Sequence, residues 1–234
     1  MADETVPRAV RALWGAEAGG RRGPKPALSV REIASAAVAV ADAQGLEAAS
    51  MAAVAKRLGF TTMALYRYVD SKAELQMAMV DEALGARPEI NRRLGWRNQL
   101  VCWAEAEAVR LGAHPWVLEV RLGSPPLTPH TLAWMDLGLE ILERAGLEAG
   151  RAASTLLFVD GYVRQHVALG LQYADGGEGW SDRLRQVLPP DALPALSRAL
   201  AAGVFDDDPS DFPADEFRFG LDLILDGVER HASR

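Results

Sequence analysis

An all-α fold is predicted by three features of this 234-residue sequence. Alanine and leucine dominate its hydrophobic residues, which make up 49% of the chain. β-branched residues are sparse, and no run alternates apolar and polar with a period of two. Apolar residues instead recur at spacings of three and four. Those runs open on serine or threonine and close on glycine, the residues that satisfy unpaired backbone groups at helix ends.

The first such run spans Val30–Gln44. Ser29 and Glu32 form a capping box before it, each side chain taking a backbone N–H that the helix leaves unpaired. Ile33, Ala37, Val40 and Ala41 make its inward face, and Gly45 ends it. Next comes Ser50–Lys72, SMAAVAKRLGFTTMALYRYVDSK. Met51, Val54, Ala55 and Leu58 share one helix face behind Ser50 as N-cap. Gly59 suits the left-handed residue that ends a helix. Thr61 caps a second short helix, on which Leu65 and Val69 point inward. Met63 and Arg67 point the opposite way, with Ala64 and Tyr66 on the flanks. Exposed helices favour Glu, Lys, Gln and Ala, so an outward stripe of Thr, Met, Tyr and Arg is unusual. Two short helices at a steep angle, the second displaying aromatic and basic groups, make a helix-turn-helix, whose second helix enters the DNA major groove.

A second capping box, Ser71 with Glu74, opens a helix over Lys72–Leu84 with Leu75 and Met79 inward. Lys72 lies where the helix dipole disfavours a cation. A DNA phosphate held jointly by Lys72 and the helix-start amides would account for it.

These residues resemble the TetR family of one-component repressors: an apolar helix, GFTTMALYRYV, a short polar link and a lysine-initiated helix. The match runs from Ser29 to about Leu84. Beyond it the chain is similar to the all-helical regulatory domain of tetracycline-repressor-like members, in helix order and in stretches such as HPWVLE and DGYVRQH. The resemblance implies a homodimer, double-stranded DNA as partner and a small-molecule effector bound in the C-terminal domain. It also gives Lys72 the phosphate-binding role. Many relatives carry small, capping or polar residues at the positions of Met63 and Ala64. Apolar groups there leave sequence reading to Arg67, Thr62 and DNA shape.

Three segments follow. Residues 1–28, rich in Ala, Gly, Pro and Arg, read as a disordered basic arm. Arg22 and Lys25 then reach phosphates or the minor groove, or belong to an ordinary solvated tail. Residues 29–72 form the three-helix head. Residues 73–234 form an effector-binding and dimerisation domain, with 72–84 as linking helix. After a break at Pro88, helices are predicted over Trp96–Gly112, Trp116–Leu122, Pro129–Ala145, Glu148–Tyr173 and Ala214–His231, with one or two short ones between Asp182 and Ala202. Thr128 caps the helix that starts at Pro129, with Leu132, Met135, Leu139 and Leu142 on one face. The two long late helices carry more apolar surface than one subunit covers. Leu156, Val159, Val163 and Val167, with Phe217, Leu221, Ile224 and Val228, are predicted to build a four-helix interface between two copies. A monomeric core is the plain alternative. Pairing would set two heads about 34–36 Å apart, or a multiple of it, to read a palindrome.

Arg67 is the candidate base reader, through guanine O6 and N7, or else a phosphate contact. Met63 meets a thymine methyl or is merely exposed. Ser50, Thr61, Thr62, Tyr66 and Tyr68 serve as phosphate contacts or in local packing and capping. In the second domain Trp103, Trp116, Trp134, Phe158, Tyr162 and His166 either line an apolar effector cavity or pack the core.

Other chemistries find little support. The four histidines, His114, His130, His166 and His231, form no i, i+4 pair, and Cys102 is the single cysteine, which argues against a metal site. Asp206, Asp207, Asp208 and Asp211 lack the spacing of an EF-hand loop. Asp160 and Arg164 read as a helix-face ion pair. Nucleophile-elbow, P-loop and dinucleotide fingerprints are missing, so neither an enzyme nor a cofactor is predicted. Net charge is −7, but residues 1–80 carry ten Lys and Arg against eight Asp and Glu, a net of +2, and the remainder carries −9. That partition suits a protein touching DNA through one end. No apolar run reaches membrane-spanning length and no signal peptide is recognisable, so a cytoplasmic location without a membrane partner is expected. The predicted function is a transcriptional regulator, a dimeric repressor released from its operator by an effector. An activator would use the same DNA chemistry. The rival is an all-helical small-molecule-binding protein or enzyme without DNA binding.

Overall fold

The computed structural model describes residues 6–15, 28–121, 127–174, 179–189, 193–205 and 214–232. Their regular elements are all helical: α1 (Arg8–Leu13), α2 (Val30–Gln44), α3 (Met51–Leu58), α4 (Thr62–Leu65), α5 (Lys72–Leu84), α6 (Trp96–Ala113), α7 (Pro129–Arg144), α8 (Ala149–Ala174), α9 (Trp180–Val187), α10 (Pro194–Ala201) and α11 (Ala214–Ala232). Short 3₁₀ turns at Leu46–Ala48 and Pro115–Glu119 interrupt the order.

The head is α2, α3 and α4 packed against the start of α5. Ile33, Ala37, Val54, Leu65, Val69, Leu75 and Met79 are fully buried at its centre. The capping box before α2 is complete: Glu32 N–H donates to Ser29 Oγ at 3.1 Å, and Ser29 N–H donates to Glu32 Oε2 at 2.7 Å. The one expected before α5 is only half made. Ser71 Oγ accepts from Glu74 N–H at 3.1 Å, but the Glu74 carboxylate turns to Asp70 N–H at 3.1 Å and Ala9 N–H at 3.4 Å. Its acceptor is spent on α1, which the sequence reading did not contain.

That helix corrects the expectation of disorder for Arg8–Leu13. Ala9 and Val10 are each 1% exposed, and α1 packs on α2 and α5. Four apolar residues, Ala9, Val10, Ala12 and Leu13, are too few to announce a helix by periodicity, but tertiary burial orders them. Arg22 and Lys25 lie outside the described residues.

In the body, α6, α7 and α8 pack on one another and α11 packs on α8. The inward face of α7 is Trp134, Leu137, Gly138, Ile141 and Leu142, rotated from the expected one, and Met135 is exposed. Gly138 sets the approach of α8, because a Cβ there would overlap the side chain of Leu156. Asp81 of α5, not Thr128, caps α7. Its Oδ1 accepts from His130 N–H at 2.8 Å and Thr131 N–H at 3.2 Å, while Thr128 Oγ1 bonds to Thr131 Oγ1.

The predicted dimer face also needs correction. Leu156, Val159, Val163, Phe217, Leu221 and Val228 are buried within the single chain, and Val167 and Ile224 are half-buried. The most exposed large apolar residues on α8 and α11 are Leu157 (72% exposed), Phe158 (65%), Phe219 (64%) and Leu223 (60%). Both helices have two apolar faces, and only the packing of α8 on α6, α7 and α11 decides which is spent inside.

Among the described residues of α6–α11, Glu107 is a buried acid. The Glu107 carboxyl of α6 faces Asp160 of α8, which is itself bound to Arg164 Nε at 3.3 Å. Burial, then the charge of Asp160, push Glu107 well above the ordinary carboxylate range. Between two carboxyl groups only a proton can supply a donor. The native state therefore holds a proton that the unfolded chain releases near pH 4.5, and stability falls as pH rises from there toward the raised native value. Glu107→Gln supplies a permanent N–H donor. It should raise Tm at pH 8 by about 2–4 °C per kcal/mol recovered, with the gain shrinking as pH approaches 4.5, measured by thermal denaturation across pH.

Candidate nucleic-acid interface

The surface centred on α4 is built by two caps and a turn. Ser50 Oγ accepts from Ala53 N–H at 3.2 Å and starts α3. Gly59 ends α3 at φ 74°, in the left-handed region. Thr61 Oγ1 accepts from Ala64 N–H at 3.3 Å and starts α4. The α-helical geometry of α4 stops at Leu65. Tyr66, Arg67 and Tyr68 continue as tight turns, with Arg67 N–H bonded to Ala64 O and Tyr68 N–H to Leu65 O. The second helix is therefore shorter than its apolar spacing suggested.

Leu65 and Val69 are fully buried. On the opposite side Met63 is 75% exposed, Tyr66 is 43% exposed, and Thr61 and Arg67 are exposed. Thr62 is half-buried, and Tyr68 is half-buried against the head core. The Arg67 guanidinium makes no ion pair or hydrogen bond among the described residues. The hydroxyls of Ser50 and Thr61 accept within their caps, leaving each O–H free to donate outward.

Two acids lie beside this surface, and each is matched by a cation. Lys72 Nζ is 3.2 Å from Glu47, and Arg8 is 3.3 Å from Asp70. Arg8 also donates to Arg67 O at 3.0 Å, where a cation favours the end of a helical turn. Sequence reasoning missed Arg8 because it placed that residue in the disordered arm.

The head joins the body through α5 and α2. Glu82 accepts from Arg31 at 3.1 Å and Ser35 Oγ at 2.6 Å, both on α2. Its neighbour Asp81, fully buried, holds the start of α7. Asp42 of α2 faces the body, 2.8 Å from His114 Nδ1 and accepting from Trp116 Nε1 at 2.7 Å.

The six residues predicted for an effector cavity do not share one. Trp103, Trp116 and Trp134 are core struts, 3–4% exposed. Trp103 Nε1 donates to Trp134 O at 3.0 Å, and Trp134 Nε1 donates to Gly85 O at 3.0 Å. Tyr162 Oη bonds to the carbonyls of Glu216 and Phe217, and His166 packs on Phe217 with centroids 4.9 Å apart. Burial pushes the Tyr162 hydroxyl up and the His166 imidazole down. Of the six, only Phe158 lines the open groove of about 1120 Å³ between α8 and α11. A smaller polar cavity of about 450 Å³, lined by Arg87, Arg92, Gln99, Glu140 and Arg144, contains none of them. Among the described residues no cluster of three or more His, Cys, Asp or Glu could hold a metal, and no helix could cross a membrane. The Asp206–Asp211 stretch lies outside the described residues.

Residues 33–79 match the model of bacterial regulatory proteins of the tetR family, and residues 88–232 match the tetracyclin repressor-like C-terminal domain. The chain belongs to the TetR family. This TetR-family regulator is 35% identical over 239 residues to the HTH-type transcriptional repressor DrrR1 of Streptomyces coeruleorubidus, covering 96% of this chain and 86% of that one. ActR from Streptomyces coelicolor has the same fold, at TM-score 0.72 and 23% identity over 89% of this chain and 100% of that one. BioQ from Mycobacterium smegmatis follows at TM-score 0.62 and 22% identity over 87% and 99%. These matches are to regulators, not enzymes, and the rival reading without DNA binding is not favoured.

At the turn of the motif, a Cβ on Gly59 would meet nothing within 4 Å, so a substitution there is opposed by backbone conformation alone. Gly59→Ala should cost about 1–2 kcal/mol, read as a lower denaturant midpoint with unchanged slope.

Proposed function

We propose that this TetR-family regulator is a cytoplasmic repressor that binds a palindromic operator as a homodimer and leaves it when a small-molecule effector binds the body. One observation carries the reading: Met63, Tyr66 and Arg67 stand outward on a turn whose other side, Leu65 and Val69, is locked into the head. Arg67 reads a base edge, Lys72 exchanges Glu47 for a phosphate, and Ser50, Thr61, Thr62 and Tyr68 support backbone contacts. Residues 29–72 act as the head and 73–234 as the sensing and dimerising domain. Relatives support each part. DrrR1 is a transcriptional repressor, BioQ was solved with its double-stranded DNA operator, and ActR with actinorhodin.

The outward residues Leu157, Phe158, Phe219 and Leu223 form the partner face in this reading. Effector binding that favours one position of α7 shifts α5 through Asp81, and Glu82 carries the shift to α2.

Selection of bound duplexes from random DNA should return a palindrome. On the selected site Arg67→Ala should cost about 1–3 kcal/mol and relax one position of the motif. Lys72→Ala should weaken all sequences alike and flatten the salt dependence by about one phosphate equivalent. Recovery of no motif, with binding insensitive to salt, overturns the proposal. For the partner face, the double change Leu157→Glu and Phe219→Glu should keep helical content and yield a monomer in sedimentation. Val163→Glu buries an unpaired charge and should instead unfold the chain, at a cost of about 3 kcal/mol or more.

A further inference from the structure

We infer that α1 is a positioning brace, holding the recognition turn through Arg8 and tying it to the body through Trp14, so that the start of α7 is coupled to Arg67 by a second route beside the Asp81 cap. The inference rests on the proposed DNA-reading role of the turn at Tyr66–Tyr68.

Contacts at three places along one short helix carry it. At its beginning, Arg8 donates to Arg67 O at 3.0 Å and pairs with Asp70 at 3.3 Å, spanning the exit of the recognition turn. In its middle, Ala9 N–H donates to Glu74 Oε2, which also accepts from Asp70 N–H, so α1 and that exit share one buried carboxylate. At its end, Trp14 Nε1 donates to Leu127 O at 2.8 Å, immediately before the start of α7. Burial of Ala9 and Val10, with α1 packed on α2 and α5, makes the helix a rigid connector rather than a tail lying on the surface.

The arrangement has an electrostatic side. Asp70 is half-exposed beside the recognition surface, and an unpaired carboxylate there would repel phosphate. Arg8 neutralises it and orders the Arg67 carbonyl in the same contact. The body end has the complementary feature. The segment Leu127–Thr131 is gripped twice, by Trp14 from α1 and by Asp81 from α5. A displacement of that segment therefore pulls on both connectors.

Hydrogen exchange on the full-length protein separates a connector from a local anchor. Trp14→Phe keeps the ring and removes only the indole N–H. It should speed amide exchange at residues 127–131 and also at 66–70 by about threefold or more, without changing Tm. Arg8→Ala should speed exchange at 66–70 and weaken binding to the selected duplex about three- to tenfold. Arg8→Lys, which keeps one charged donor, should recover most of that loss. Exchange changes after Trp14→Phe confined to 127–131 would overturn the brace, as would unaltered duplex affinity in Arg8→Ala. If the unaltered protein selects no duplex, the DNA-reading proposal fails by itself, and the exchange result still decides whether α1 transmits.

Discussion

Two adjacent carboxylates on α5 hold this molecule together as one device. Asp81 faces the body and caps α7, while Glu82 faces the head and binds Arg31 and Ser35. A buried carboxylate is costly unless donors surround it. The amide pair at the start of α7 supplies two to Oδ1, with a helix dipole of the right sign, and His130 Nδ1 stands 3.4 Å from Oδ2. Position and orientation of α7 are thereby written into α5, and those of α2 follow one residue later. Asp42 adds a contact from α2 to His114 and Trp116 of the body. The head cannot turn against the body without breaking charged or buried hydrogen bonds, so a movement of either is felt by both.

The charge pattern near the recognition surface follows a different logic. Its acids, Glu47 and Asp70, are exposed and paired with Lys72 and Arg8. Exposed pairs are worth little, about 0–1 kcal/mol. Lys72 can therefore trade Glu47 for a phosphate at small cost, whereas Arg8 is also committed to the Arg67 carbonyl. A chain of net charge −7 thus presents a locally cationic surface without a large basic patch.

Aromatic residues in the body spend their polar atoms on structure. The indole N–H of Trp103 bonds to Trp134 O within α7, and that of Trp134 to Gly85 O at the end of α5. Trp134 reaches Gly85 O, the residue closing α5, which adds to the bonds that Asp81 makes with the start of α7. Apolar content in this domain divides between such struts and an outward face on α8 and α11, where Phe158 and Leu223 line one groove.

The amino-acid sequence by itself determined the helical class, the bounds of α2, the caps at Ser29, Ser50 and Thr61, the left-handed Gly59, and the division of Leu65 and Val69 from Met63 and Arg67. These are local properties: a cap needs one side chain and the next turn, and an amphipathic face needs only spacing. Tertiary structure decided everything in which two faces competed for one core. On α8 and α11 both faces are apolar, and packing spent Leu156, Val159, Val163 and Leu221 inside while leaving Leu157, Phe158, Phe219 and Leu223 out. It also decided that Asp81 caps α7 from a distance of 49 residues and that Glu74 serves α1. Order in α1 itself was beyond reach of the sequence, because its few apolar residues become helical only against a groove that α2 and α5 supply.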